Sequence, residues 1–101
     1  MVEHATFDVG SIVHHVRYKY RGVILKVDRT CQANEAWYKK NRTQPKREQP
    51  WYQVLVEGGN ETYVAQSNLE PDTEGSPVEH PAIANFFPTF LNGKYYRQSL
   101  N

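Results

Sequence analysis

Apolar and polar positions alternate most regularly over residues 49–69, QPWYQVLVEGGNETYVAQSNL. Tyr52, Val54 and Val56 take turns with Gln53, Leu55 and Glu57, the period-2 pattern of a strand. Gly58-Gly59-Asn60 supplies positions that accept positive φ cheaply, as a tight hairpin requires. The chain returns through Thr62-Tyr63-Val64-Ala65, and Gln66–Leu69 reads as a short helical turn that brings Leu69 back to the core. Pro50 stands just ahead of the first strand, where a missing N–H does little harm. A second hairpin is predicted upstream. Ile12, His14, Val16 and Tyr18 share one face of a run over 12–18, and Val23, Leu25 and Val27 form the core face of a run over 23–28. Lys19-Tyr20-Arg21-Gly22 separates the two runs, with Gly22 permitting a bend or bulge.

Between the hairpins the strand signal disappears. Residues 33–40 carry helix formers with Asn34 placed to cap them. Residues 39–50, KKNRTQPKREQP, form a long, basic, exposed loop interrupted twice by proline. Downstream, 71–77 is a turn-rich linker. Pro81 suits the start of a short helix over 80–87, which Pro88 ends. The tail carries Phe90, Leu91, Tyr95 and Tyr96, and part of it is expected to dock on the core. Four or five short strands with marginal helix predict an all-β fold, a small barrel or rolled sheet.

Composition narrows the class. A chain of 101 residues forms one domain, and its 13% aromatic residues supply large buried areas. Cys31 is the single cysteine, so no internal disulfide is expected and a reducing, cytoplasmic setting is favoured. No run approaches the ~20 apolar residues of a membrane span. The N-terminus lacks the basic and apolar regions of a signal peptide. Net charge is only +1, but residues 1–50 carry ten Lys or Arg against five Asp or Glu, and residues 51–101 carry two against six.

Chemistry for an enzyme is thin. Cys31 with His14, His15 or His80 is the one conceivable nucleophile pair, and nothing around it resembles an activating environment. His14 and His15 adjoin on a strand and point to opposite faces, so they do not share one ion. No catalytic residue, metal ligand or cofactor is therefore expected. The basic loop is richer. Lys39, Lys40, Arg42, Lys46 and Arg47 place five cations in nine residues, flanked by Trp37, Tyr38, Trp51 and Tyr52. Cations beside aromatic rings suit phosphate pairing and base stacking. Arg, Trp and Tyr are equally the residues of protein-interface hot spots, which makes Trp37, Tyr38, Trp51, Tyr52 and Tyr20 docking candidates. The same composition also describes a solvated loop whose aromatics are core. Exposed strand edges and the aromatic tail offer routes to a homo-oligomer.

Taken together, FDVGSIVHHVRYKYRGVILKVD at 7–28, the Trp-Tyr pair at 37–38, QPWYQVLV, TYVAQSNL and VEHP resemble the YccV-like, or hemimethylated DNA-binding, domain. The resemblance covers a core of about 7–87 within a single domain of 1–101, leaving 88–101 as a tail. Its free-standing bacterial members are the heat-shock HspQ group. The resemblance implies an SH3-like β-barrel of about five strands, with short helical turns and the long basic loop, and no enzymatic activity. It implies two functions. One is a role in the cytosolic stress response as adaptor, specificity factor or substrate of ATP-dependent proteases of Lon or Clp type, acting on client proteins. The other is binding of hemimethylated DNA near replication origins. Gln53 stands where many members carry His. The low net charge, and the lack of a helix or ribbon suited to the major groove, place the protease adaptor ahead of DNA binding.

Overall fold

The computed structural model describes residues 3–98. Strands β1 (Ile12–His15), β2 (Arg21–Asp28), β3 (Trp51–Val56), β4 (Glu61–Ala65) and β5 (Leu69–Pro71) form one antiparallel sheet in the order β4-β3-β2-β1-β5. Helix α1 (Glu35–Lys40) interrupts the long connection from β2 to β3, and a 3-10 turn (Gln66–Asn68) joins β4 to β5. Helix α2 (Ile83–Phe86) precedes a separate two-stranded ribbon, β6 (Thr89–Leu91) and β7 (Lys94–Tyr96).

This architecture corrects the expected all-β, SH3-like closed barrel. The fold is mixed, with two short helices, and its sheet is open. Closure would require the edge strands β4 and β5 to pair with each other. No such ladder exists among the described residues. The segment between them is committed elsewhere: Gln66 N–H donates to Pro50 O at 2.9 Å, and Asn68 O accepts from Val16 N–H at 2.9 Å. The 3-10 turn therefore ties one edge to the β3 side and the other to the β1 side.

Both faces of the sheet are covered. Phe7, Val13, Ile24, Tyr52, Val54, Val64 and Leu69 fill one side. Ile12, Val23 and Leu55 line the other, beneath Val78, Ile83, Phe87 and Tyr95. Leu55 is thus as buried as its alternate neighbours, although a one-sided reading assigns it to the polar face. The β2–β3 register shifts between Ile24 and Lys26, so the predicted Val23-Leu25-Val27 face splits. Val23 and Leu25 pack with the second cluster and Val27 with the first.

Strand β1 ends earlier than its β-prone sequence predicts. The chain turns over 16–20, with Lys19 at φ 63° and its N–H donating to His15 O at 2.9 Å. Gly22 belongs to β2, not to this turn. A side-chain carbon there would strike Val54 Cγ1 and sit 2.8 Å from Leu55 O, so glycine is required for strand approach. Arg21 beside it is buried and pairs with Asp72, Nε to Oδ1 at 3.0 Å and Nη2 to Oδ2 at 3.2 Å. Its Nη2 also donates to Ser76 O, which staples the 71–77 linker onto the sheet.

The tail docks through Tyr95. Its N–H donates to Gly10 O at 2.9 Å, and its hydroxyl accepts from Val78 N–H at 2.9 Å. The ribbon turns through Asn92 and Gly93, both at positive φ, the Asn-Gly pairing of a tight hairpin. No helix among the described residues is long and apolar enough to cross a membrane.

Candidate nucleic-acid interface

The basic loop is held against the sheet by one of its own cations. Asn34 caps α1, its Oδ1 accepting from Trp37 N–H at 2.8 Å. None of the six helical residues is fully buried, so the helix depends on support from the loop on its C-terminal side. Arg47 reaches back across the loop and donates to the Ala33 carbonyl, while its own carbonyl accepts from Cys31 N–H at 3.0 Å. The guanidinium lies 4.9 Å over the Tyr38 ring. Its Nη1 has no hydrogen-bond partner and faces Glu35 Oε1 at 3.7 Å. Tyr38 in turn donates to Pro45 O at 2.8 Å. Arg47 is a clasp.

The other four loop cations are exposed. Lys39 forms only a surface pair with Glu35 at 3.7 Å, of little energetic consequence. Lys40, Arg42 and Lys46 have no ion-pair partner among the described residues. Of the docking candidates, Trp51 and Tyr52 are 2% and 0% exposed and so present no surface. Trp51 stacks on Tyr63 at 5.3 Å, meets Trp37 and Tyr38 edge-on, and donates from Nε1 to Lys46 O at 3.3 Å. Tyr52 sits on the opposite face with its hydroxyl donating to Gln66 Oε1 at 2.5 Å. Trp37 and Tyr38 are half-buried against Trp51. Cys31 is buried beside Trp51 as a small apolar side chain.

Where the folded loop meets the β1–β2 turn it borders a half-open cavity of about 110 Å³. His15, Tyr18, Tyr20, Tyr63 and Arg42 are among its lining residues, and no carboxylate is. His15 is 3% exposed and lies between rings, 4.6 Å from Tyr18 and 4.9 Å from Tyr20. Its Nδ1 accepts two backbone N–H bonds, from Arg17 at 3.1 Å and Tyr18 at 3.0 Å. Two donors on Nδ1 place the proton of the neutral ring on Nε2. Burial first, then the charges of Arg17 and His14, lower the His15 pKa below its ordinary value, which favours that neutral ring. Burial likewise pushes the Tyr20 hydroxyl up to about 12. Tyr18 is 50% exposed at the turn, flanked by exposed Arg17 and Lys19.

Sequence reasoning singled out the loop and Tyr20 but missed His15, Tyr18 and the turn cations as parts of one site. The run RYKYR at 17–21 contained that signal, but placing the turn at 19–22 left Arg17 and Tyr18 on the strand and hid their place in the turn. Gln53 is partly exposed beside Trp37 and Tyr63 and outside this cavity's lining. Among the described residues no group of three or more His, Cys, Asp or Glu is arranged to hold a metal ion.

Comparison with known proteins agrees with a binding domain. A family described as "Hemimethylated DNA-binding protein YccV like" matches residues 5–94. F-box only protein 21 of Homo sapiens is 35% identical over 92 residues, and that of Mus musculus 34%. These alignments cover 88% of this chain and 15% of each relative, so the chain spans about a seventh of the curated relatives it matches. The relatives carry the domain within larger proteins. The expected placement in the free-standing HspQ group, with its heat-shock and protease-adaptor role, is corrected accordingly to the broader family. With most of its length matched and a relative above 30% identity, the chain belongs to the YccV-like family of non-catalytic binding domains.

Proposed function

We propose that this domain binds DNA without catalysis, through the exposed cations of the 39–47 loop and of the 17–19 turn. The observation that carries the reading is the cavity at their junction, aromatic within, bordered by Arg42, and free of carboxylates in its lining. Cations provide the sequence-independent attraction to phosphates, and exposed rings provide sites for bases. The description of the family as hemimethylated DNA-binding supports the same reading. Net charge does not oppose it, because the acidic side chains Asp72, Glu57 and Glu74 are gathered around Arg21.

Titration with hemimethylated, fully methylated and unmethylated duplexes over a range of salt concentrations tests the reading. Binding is expected to weaken steeply with salt and to favour the hemimethylated duplex. Neutralising Lys40, Arg42 and Lys46 should lower the magnitude of the salt slope by about one for each cation that meets a phosphate. Absence of binding to all three duplexes at about 50 mM salt would overturn it. A protein-docking surface is the second reading, favoured by the open groove in which half-buried Trp37 meets Gln53 and Tyr63.

A further inference from the structure

We propose that the cavity beside the β1–β2 turn receives one pyrimidine base, unstacked from its strand, with a base carbonyl facing His15 Nε2–H. This rests on the DNA-binding reading and adds to it the ligand group and the residue that selects it. Three observations lead there. The first is an unused donor. Nδ1 of His15 is saturated by the Arg17 and Tyr18 amides, leaving Nε2–H as its free polar atom, with no partner among the described residues. That atom belongs to a side chain 97% buried whose ring lines the cavity. The atom borders the open cavity and is not sealed in the core, so an incoming carbonyl oxygen can reach it and take the place of solvent there.

Size is the second observation. A cavity of roughly 150 Å³ holds a benzene ring. The space here, about 110 Å³, is smaller than that but open at its mouth, so a single ring enters by its carbonyl edge with the remainder outside. Thymine and cytosine both carry ring carbonyls, which the His15 donor can meet.

Charge is the third. Aromatic pockets also attract ammonium groups, but those need the rings unopposed by other cations. Here Arg42 lines the cavity, Arg17 and Lys19 flank Tyr18, and no lining carboxylate offsets them. That arrangement suits an anionic strand and repels a cationic peptide. Thr62 and Asn68 complete the polar part of the lining.

The test compares three single strands of equal length and charge with the full chain: a dT decamer, a dA decamer, and a decamer of abasic sites. The dT strand is expected to bind about tenfold more tightly than the abasic strand, the scale of one base held by aromatic groups, with dA close to the abasic value. His15→Asn keeps an oxygen where Nδ1 accepts the turn amides but removes the Nε2–H. It should bring dT down to the value that the same variant shows for the abasic strand, with the circular dichroism spectrum of the parent. Tyr18→Ala, at a half-exposed position, should do the same and serves if the first variant unfolds. Equal, salt-sensitive binding of all three strands would overturn this inference and leave the DNA-binding reading standing. No binding of any strand would overturn both.

Discussion

His15 concentrates two roles in one ring, a cap for the 16–20 turn and a wall of the cavity. Both need it neutral, since a proton on Nδ1 would displace the amides of Arg17 and Tyr18. Its pKa is lowered by burial, Arg17 and His14 from the ordinary 6.5, so between the folded value and 6.5 the unfolded chain binds more protons. Stability from this residue is therefore fully present above about pH 6.5 and declines as pH falls toward the folded value. Thermal melts from pH 7.5 down to pH 5 should show Tm falling, and the fall should be shallower in His15→Asn. Identical slopes in the two proteins would refute the assignment. This residue was only half legible in the sequence. An adjacent His pair on a β-prone run is visible, but the positive φ of Lys19 that folds the turn back onto His15 is not, because nothing about lysine favours it. The burial of Trp51 was equally hidden, since a Trp beside a basic loop has the same composition whether it faces solvent or core.

Local elements were the most readable. The Gly58-Gly59 hairpin, the Asn34 cap and the short helix before Pro88 all follow from turn and capping chemistry that acts over a few residues. The β6–β7 ribbon was missed: Asn92-Gly93 carries a tight-turn signal, but its three-residue strands are too short for alternation to show. The basic loop is the element whose behaviour the structure changes most. Its attachment rests on Arg47, while its partners for any anion are the four exposed cations. Arg47→Ala should release the segment by removing the bond to the Ala33 carbonyl and the cover over Tyr38. Amide exchange at Cys31, which donates to Arg47 O, is expected to speed up at least tenfold, consistent with about 1.5 kcal/mol for a charge-assisted hydrogen bond. The Val54 amide in the central sheet should keep its protection. Equal acceleration at both sites would mean that the loop and sheet open together.

At the scale of the molecule, the sequence carried the four strands of the two hairpins and left out β5, the β6–β7 ribbon and how the sheet ends. Whether edges pair is a non-local property, and here the bonds made by Gln66 and Asn68 decide it. Cover on the second face is also non-local, provided by Val78, Ile83, Phe87 and Tyr95 from far along the chain. The fold thus depends on its tail. Tyr95→Ala should lower global stability by about 3–5 kcal/mol, as expected for loss of a buried ring. Tyr95→Phe, which leaves Val78 N–H without its partner at 2.9 Å, should cost about 1–3 kcal/mol. Chemical denaturation of the pair separates packing from hydrogen bonding, and similar values for both would locate the contribution of Tyr95 in its hydroxyl alone.

The packing of Trp37 and Trp51 against each other at 6.1 Å has an optical consequence. These are the chain's two tryptophans, and both stand under the basic loop, one on α1 and one on the cavity wall. Intrinsic emission is therefore blind to most of the sheet and reports the state of the loop. Heating should shift emission to the red as the loop lifts and Trp51 meets water, while ellipticity at 218 nm still records intact strands. Fluorescence and circular dichroism would then give two midpoints for one small domain, the earlier belonging to the loop.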